Sequence, residues 1–377
     1  MDAHPVSTTG KKESVTMRLA ALPQTFTEWM ALITGMVPTP LMDTLVALLL
    51  AKTVMAATAV GVFDALERGP LTASEAAKWC RTDLGATEKL LRALCACKYL
   101  KYVGNRFELA PVSRRWMTRE WPDSLQSGIM HCNLDLRFMN FEEYVRLGKA
   151  HNLFHSDLRP DDWRIYHQGQ ASHAAQIVDE VIGRVSLPPH ASDLLDLGGA
   201  HGMYSVGFCR RYRNLRARVV DLTISCGVAE LKAASDSHSR VEFQVGDIRT
   251  IDLPPDSTDV VLLANVVHHF DEPTNRCLIQ RAARALRADG LLIVIEAVRP
   301  LSLERIDQLE GLLDLYFGAA SGTGLWTIED IQDWNRSAGL VLLPPETMRR
   351  MPCCKLQVAR KDASWTDRAL SQEDLTC

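Results

Sequence analysis

The stretch Asp196-Leu197-Gly198-Gly199-Ala200-His201-Gly202 decides the fold of this 377-residue chain. It includes the end of the short apolar run 194–197 and precedes a helical pattern at 203–211. Glycine lets a backbone turn tightly and come close to a ligand. Between a strand and a helix, such a turn is typical of nucleotide-binding loops, whose ligand lies outside the carboxyl end of the strand. If this motif is considered by itself, the alternative is a tight turn that binds no ligand.

Strand and helix patterns alternate along the chain from residue 191 onward. This alternation predicts a parallel sheet covered by helices on both faces, because parallel strands need crossover connections. The sequence therefore indicates an α/β fold for this part. We predict helices at 203–211, 276–286 and 328–338, and strands at 194–197, 216–222, 241–245, 260–264, 291–295, 340–343 and 355–359.

Two further carboxylates stand at the ends of the next two predicted strands. Asp221, followed by Leu222, ends the second strand, and Asp247, followed by Ile248, comes after the third. The first carboxylate can accept hydrogen bonds from both hydroxyls of a ribose. The second, beside an apolar side chain, suits an adenine amino group and ring. Each Asp alone can be a cap or a turn residue, but their occurrence at successive strand ends favours a nucleoside site.

The exit of the fourth predicted strand carries Asn265 and the pair His268-His269. A histidine near its reference pKa can take a proton at neutral pH, so the pair is a candidate for removing a proton from a substrate. Packing or capping is the alternative for either ring. A metal site is a further alternative, but two adjacent histidines lack a carboxylate partner, and we predict no metal.

The N-terminal part, from residue 28 to residue 117, reads as helices with short loops. Thr72 with Glu75 three residues later opens one helix, a second covers 87–97, and 99–103 with 106–109 form a predicted hairpin. Two helices and a hairpin are a winged-helix-like layout. DNA binding is the alternative, but we expect subunit packing because the charges near the second helix nearly cancel, with Lys89, Arg92 and Lys98 against Asp83 and Glu88.

Segment 44–63 is apolar and about long enough to span a membrane. Lys52 lies near its middle, where burying its charge in a bilayer is costly. We therefore predict no membrane span and expect a helix buried at a subunit or domain interface.

The net charge of −4 argues against nucleic acid as a partner. Ten cysteines without zinc-site spacing predict reduced thiols and a cytoplasmic protein.

Segment 115–187 is helical and rich in aromatic side chains, which form core or line an apolar pocket. An amphipathic helix is predicted over 301–318. The predicted division of the chain is a disordered tail at 1–20, a helical domain at 21–117, connecting helices at 118–187, a sheet domain at 188–361 and a loose tail at 362–377.

The glycine turn, the two strand-end carboxylates and His268 resemble the class I methyltransferases. Over roughly residues 28–360, the chain is more closely similar to the two-domain O-methyltransferases of secondary metabolism, which include plant phenolic and bacterial polyketide enzymes. The resemblance implies a Rossmann-like methyltransferase sheet, a winged-helix-like N-terminal dimerisation domain, a homodimer, a small-molecule acceptor and S-adenosylmethionine as cofactor.

The resemblance also assigns site residues. His268 falls on the family's catalytic histidine, and Glu296 falls on an acidic residue that orients it. The cofactor contacts are expected from Asp196, Gly198, Gly199, Gly202, Asp221, Leu222, Asp247, Ile248 and Asn265. The substrate pocket is expected from Phe138, Tyr166, His167, His269, Phe317 and Trp326.

Three positions depart from the family pattern. Plant members carry Trp after His-Asp, whereas this chain reads His268-His269-Phe270. The second orienting Glu is absent at Leu325-Trp326, and a lysine that contacts the cofactor in plant members corresponds to Ala264. The alternative to general-base catalysis is therefore catalysis by holding acceptor and methyl donor in line.

These observations lead to the hypothesis of a cytoplasmic homodimer that methylates a hydroxyl of an aromatic or polyketide-like small molecule. Methylation at carbon or nitrogen, as on a tetrapyrrole or an α-keto acid, uses the same scaffold and is the first alternative. The non-enzymatic alternative is an inactive partner subunit or a ligand-sensing regulator.

Overall fold

The computed structural model describes residues 22–119, 121, 124–137, 139–150, 158–222 and 238–365. The predicted tail 1–20 lies outside these ranges, as does the part of the predicted tail 362–377 that follows residue 365.

The N-terminal part of the described chain is helical apart from one hairpin. Thr72 caps a helix as predicted: its Oγ1 accepts the Glu75 N–H at 3.2 Å, and Glu75 Oε2 accepts the Thr72 N–H at 2.8 Å. The predicted hairpin is confirmed, since its strands pair antiparallel. The elements are α1 (Phe26–Ile33), α2 (Thr39–Leu41), α3 (Ala47–Ala59), α4 (Val62–Glu67), α5 (Ala73–Cys80), α6 (Leu84–Ala96), β1 (Leu100–Val103), β2 (Arg106–Leu109) and α7 (Pro111–Trp116).

Helices α2 and α3 join through a π-helical turn into one apolar stretch, Thr39–Ala59. A stripe of leucines at helical spacing is about half exposed along it, formed by Leu41, Leu45, Leu48 and Leu49. This stripe is uncovered within one protomer, so the expected burial at a subunit interface stays a prediction. With a mean hydropathy of 1.6, the stretch is also long and apolar enough to cross a membrane, a property that helices of soluble proteins share.

In the described part of the connection between the two parts, the helices are α8 (Gln126–Asp135), α9 (Phe141–Leu147), α10 (Pro160–Ala174) and α11 (Val178–Arg184). Helix α10 packs closely along α8 at Gly169, where an added Cβ would lie 2.2 Å from the Cβ of His131. The close packing places the aromatic and imidazole side chains of α10 above the edge of the sheet.

The C-terminal part contains an eight-stranded sheet in the order β5-β4-β3-β6-β7-β10-β8, with β9 also paired to β10. The elements are β3 (Asp193–Leu197), α12 (Met203–Arg211), β4 (Arg216–Asp221), β5 (Val241–Val245), β6 (Thr258–Ala264), α13 (Glu272–Ala285), β7 (Leu286–Ala297), α14 (Gln308–Ser321), α15 (Ile328–Ser337), β8 (Val341–Leu342), β9 (Glu346–Thr347) and β10 (Cys354–Arg360).

Strands β3 to β7 are parallel, as predicted, but β10 runs antiparallel to β7, β8 and β9. The expectation of a wholly parallel sheet is corrected here. Short loops join β8, β9 and β10 along the chain. Strands that are joined by short loops run antiparallel, because a parallel pair needs a long crossover connection. The carboxyl ends of the parallel strands still meet at one edge of the sheet, where the candidate site lies.

Apolar cores cover both faces of this sheet, which explains why β6 is buried along almost its whole length. One core includes Phe208 of α12, and the other includes Trp334 of α15, both at most 1% exposed. Burial on both faces fixes the strands and therefore the turns that leave them.

Helix α14 begins at Gln308, so the helix predicted over 301–318 is corrected at its start. Asp307 Oδ1 accepts the Glu310 N–H at 2.8 Å, and this cap sets the first turn. Leu303 lies in a separate short helical turn and is 76% exposed, whereas Leu313 and Phe317 pack against the core.

Cys277 on α13 is disulfide-bonded, which corrects the expectation of a reduced thiol at this residue. Free thiols are found at Cys80, Cys95, Cys97, Cys132, Cys209, Cys353 and Cys354.

Candidate active site

A cavity of about 440 Å³ opens at the carboxyl ends of β3, β4, β5 and β6. Its walls come from the turns after these strands, from one face of α10 and from residues 321–323 after α14. Ligands of open α/β sheets bind in this place.

The turn after β3 has no room for a side chain at any of its three glycines. Gly198 and Gly202 have φ of 75° and 69°, a region that favours glycine. A Cβ on Gly199 would lie 2.5 Å from the carboxylate carbon of Asp196, and one on Gly202 would lie 2.8 Å from the Phe243 ring. The backbone of the turn therefore forms the floor of the cavity.

Asp196 lies beneath this turn and not among the residues that line the cavity. Its Oδ2 accepts the Ser205 hydroxyl at 2.7 Å, and the side chain is 1% exposed. Burial raises the pKa of the Asp196 carboxyl to about 7. The structure thus shows Asp196 supporting the turn, while Gly198 and Gly199 line the cavity.

Asp221 lines the cavity at the end of β4 and is held by backbone groups. Its Oδ2 accepts the Ala200 N–H at 2.9 Å, and its Oδ1 accepts the Leu222 N–H at 2.8 Å. Each carboxylate oxygen can accept further hydrogen bonds, so the side chain stays capable of binding a pair of hydroxyls.

Asp247 and Ile248 line the cavity beyond β5, together with Arg249. Arg249 forms an ion pair with Asp247, with Nη2 and Oδ2 2.6 Å apart, and its guanidinium lies 5.8 Å from the Phe270 ring centre. The Arg249 guanidinium therefore orients Asp247, a role that the sequence analysis did not assign to Arg249.

His268 and Glu296 are in direct contact. His268 Nδ1 and Glu296 Oε1 are 2.7 Å apart, and the two residues are 3% and 1% exposed. Glu296 Oε2 also accepts the N–H groups of Val266 and Val267, each at 3.1 Å. Three groups of the segment 266–268 thus converge on the Glu296 carboxylate, which sets the orientation of the His268 ring.

His269 lines the cavity, whereas His268 is not among its lining residues. His269 Nδ1 lies 2.7 Å from Ser321 Oγ, and the two histidine rings are 4.0 Å apart. Burial, and then the neighbouring His268, holds the pKa of His269 well below its usual range. Asn265 lines the cavity beside the pair, in a left-handed conformation with φ of 55°.

Tyr166 and His167 of α10 also line the cavity, opposite the glycine turn. Burial and then His131 lower the pKa of His167 to about 4, so its imidazole is neutral at pH 7. Burial raises the pKa of the Tyr166 phenol.

The remaining predicted substrate residues are placed differently. The Phe317 ring lies 3.8 Å from the His268 ring, outside the cavity lining. Trp326 is also outside the lining: its Nε1 donates to Val267 O at 3.0 Å and its ring packs against Trp334. Phe138 lies outside the described residues.

Sequence reasoning missed several cavity residues. His201, inside the decisive turn, was given no role, and Ser321 and Thr323 were not considered. The short run Ser321-Gly322-Thr323-Gly324 directly after an amphipathic helix was the signal for a turn near the site. Within the described ranges, no group of three or more His, Cys, Asp or Glu side chains is arranged to hold a metal ion.

Comparisons with known proteins agree with this geometry. The sequence model of the O-methyltransferase domain matches residues 141–339, more than half of the chain, and that of the O-methyltransferase dimerisation domain matches residues 42–119. The chain belongs to the O-methyltransferase family. It is a methyltransferase, and its cofactor is S-adenosylmethionine.

Among relatives, the chain is 25% identical to a 3-hydroxy-5-methyl-1-naphthoate 3-O-methyltransferase of Streptomyces sahachiroi, over 80% of this chain and 89% of that protein. It is 25% identical to the N,N-dimethyltransferase OxyT of Streptomyces rimosus, over 65% and 74%. The crystal structure of human N-acetylserotonin methyltransferase in complex with S-adenosylmethionine superposes with a TM-score of 0.72 at 20% identity, over 92% of this chain and all of that one.

Proposed function

We propose that this methyltransferase acts on a hydroxyl of an aromatic or polyketide-like small molecule. One observation carries the proposal: a cofactor-sized cavity with carboxylates at two strand ends has His269 and Ser321 on its opposite side. The naphthoate and N-acetylserotonin relatives, by their names, act on aromatic molecules. A cytoplasmic location is part of the proposal, since the free thiols at Cys80, Cys209 and Cys353 suit a reducing compartment.

The residues present fit S-adenosylmethionine. The glycines of the turn admit a ligand against the backbone, Asp221 can bind the ribose hydroxyls, and Asp247 with Ile248 can bind adenine. When bound, the cofactor supplies an electrophilic methyl group on a sulfonium. The chain's own residues must then position an acceptor oxygen and receive its proton.

His268 is the proposed base. If its Nδ1–H donates to Glu296, its Nε2 carries the lone pair that takes the hydroxyl proton, and the ionised Glu296 at 2.7 Å stabilises the resulting imidazolium. His269, held by Ser321, is proposed to position the acceptor from the cavity side. The Phe317 ring lies against His268 and helps to hold its imidazole in place.

Nitrogen methylation is the second candidate, because OxyT is a relative of similar identity. The test is transfer of isotope-labelled methyl from S-adenosylmethionine into a panel of hydroxylated and amino-substituted aromatics, with the labelled atom located by NMR. Methyl ethers support the proposal, N-methyl products support the second candidate, and no transfer to any aromatic acceptor contradicts both acceptor classes.

We also propose that the chain acts as a homodimer. The exposed leucine stripe of Thr39–Ala59 overlaps the dimerisation domain, which starts at residue 42, so a second protomer is the natural cover for it. A small-molecule acceptor requires no nucleic acid or membrane partner.

A further inference from the structure

The order of strands in the sheet sets the order of cofactor parts across the cavity. With ribose at Asp221 and adenine at Asp247, these two parts of the cofactor would lie over β4 and β5, so the next position, over β3, would fall to the methionyl part. Neighbouring strands are about 4.8 Å apart, which matches successive parts of one extended ligand. This placement rests on the proposed contacts of Asp221 and Asp247.

The methionyl part carries a carboxylate, and its end of the cavity offers no cationic side chain among the described residues. The single Lys or Arg in the described lining is Arg249, which is paired with Asp247 two strands away. A carboxylate that leaves water needs hydrogen-bond donors, so neutral donors must serve here.

His201 lies at this position, within the turn after β3, and it lines the cavity while being only 8% exposed. Its Nδ1 accepts the Met203 N–H at 3.1 Å. Because Nδ1 is the acceptor, the proton of the neutral ring is on Nε2. The backbone contact thus fixes both the tautomer and the orientation of the ring.

The surroundings keep His201 uncharged. Burial, followed by His167 and His173 of α10, lowers the pKa of His201 to about 3. A neutral donor at this place binds a carboxylate without adding positive charge beside the sulfonium, which a lysine or arginine would do.

We propose that His201 binds the methionyl carboxylate of the cofactor through its Nε2–H. The residue is a cofactor-binding group and takes no part in proton transfer. Its contact distinguishes cofactor molecules that carry this carboxylate from those that lack it.

The test compares S-adenosylmethionine with decarboxylated S-adenosylmethionine, which keeps the adenosine, the sulfonium and the amine. Calorimetry on His201→Phe should show affinity for S-adenosylmethionine falling ten- to a hundredfold, the range for a hydrogen bond to a charged group. Affinity for the decarboxylated compound should change less than threefold. His201→Gln, which keeps a donor, should recover part of the loss, and exposed His190→Phe should match the native protein.

Two results would overturn the inference. Equal losses for both ligands would mean that His201 only shapes the turn, and no loss for either would mean that it makes no contact. The variant Asp221→Asn tests the proposed ribose site independently of His201. It should lower the affinity for both ligands by the same factor. If Asp221→Asn changes neither affinity, the proposed ribose site is wrong, whatever His201 does. Melting temperatures of all variants report whether they fold.

Discussion

Ala200 stands in the glycine turn with φ of 38°, a region that costs a residue with a Cβ about 1–2 kcal/mol. Its N–H donates to Asp221 Oδ2, and this contact holds it there. Ala200→Gly should therefore raise the free energy of unfolding by about 0.5–1 kcal/mol, after the greater freedom of glycine in the unfolded chain is subtracted. Denaturant unfolding measures the change.

Ala93→Gly is the control for this prediction, since Ala93 lies in the regular helix α6. Glycine there should lower the free energy of unfolding by about 1 kcal/mol. If Ala200→Gly also lowers it, the strain assigned to the turn does not exist.

Glu296 is the second residue whose replacement is informative. Glu296→Gln keeps an acceptor for the N–H groups of Val266 and Val267 but removes the charge beside His268. We expect kcat to fall at least tenfold, with KM for S-adenosylmethionine within threefold of the native value. Exposed Glu272→Gln should leave both constants unchanged. An unaltered kcat for Glu296→Gln would leave positioning alone as the mechanism.

The turn between β3 and α12 acts as one element. Gly202→Ala combines an unfavourable φ of 69° with a Cβ 2.8 Å from the Phe243 ring, so the turn must shift. We expect affinity for S-adenosylhomocysteine, measured by calorimetry, to fall at least tenfold. In α11, Gly183→Ala meets no atom within 4 Å and should leave the affinity unchanged. Native affinity in Gly202→Ala would show that the turn does not contact the cofactor.

Elements with a strong local pattern were predictable from the sequence. The helix 203–211 and the strand 241–245 were predicted at their observed bounds, because apolar periodicity acts locally. The antiparallel direction of β10 was not predictable, since it depends on a connection path and not on the residues of the strand. The start of α14 was missed although Asp307 and Glu310 form a capping box that the sequence displays.

The candidate site was predictable where strand ends carry the side chains, as with Asp221 and Asp247. The role of Ser321 depends on its contact with His269, which comes from a distant part of the chain, and no spacing in the sequence encodes it. His201 and Arg249 contact residues only two positions away, so their roles were missed although the partners are neighbours in the sequence. Trp326 was misplaced for a similar reason, since it packs with Trp334 on the other core.

At the scale of the whole molecule, the leucine stripe on Thr39–Ala59 should control assembly. The double variant Leu45→Glu, Leu49→Glu places two charges where a second protomer would bury them. Light scattering after size exclusion should show the mass fall from twice to once the protomer mass of 42.0 kDa. Leu301→Glu, also exposed but far along the chain, should stay dimeric. A native protein that is already monomeric contradicts the proposed homodimer.

Global stability should depend on pH through the buried imidazoles. The folded-state pKa of His201, about 3, lies below its unfolded value near 6.5, so the unfolded chain binds the extra proton. The contribution of His201 to the free energy of unfolding is complete above pH 6.5 and is lost as the pH falls towards 3. Asp196, with a pKa raised to about 7, acts in the opposite direction, so a variant must isolate the effect.

His201→Gln provides this isolation. Between pH 6 and pH 4, the slope of unfolding free energy against pH should be smaller in the variant than in the native protein, by up to about 1.4 kcal/mol per pH unit. Parallel curves over this range would show that the native pKa of His201 is not depressed.

The walls of the cavity come from separate stretches of the chain: residues within 198–249 and 264–274, one face of α10, and residues 321–323. Natural selection can therefore alter one of these stretches while the others are inherited unchanged. Recombination of short gene segments can change which acceptor the enzyme binds, while the binding site for the methyl donor is kept. A laboratory library that shuffles residues 158–174 and 308–323 among relatives would follow the same route.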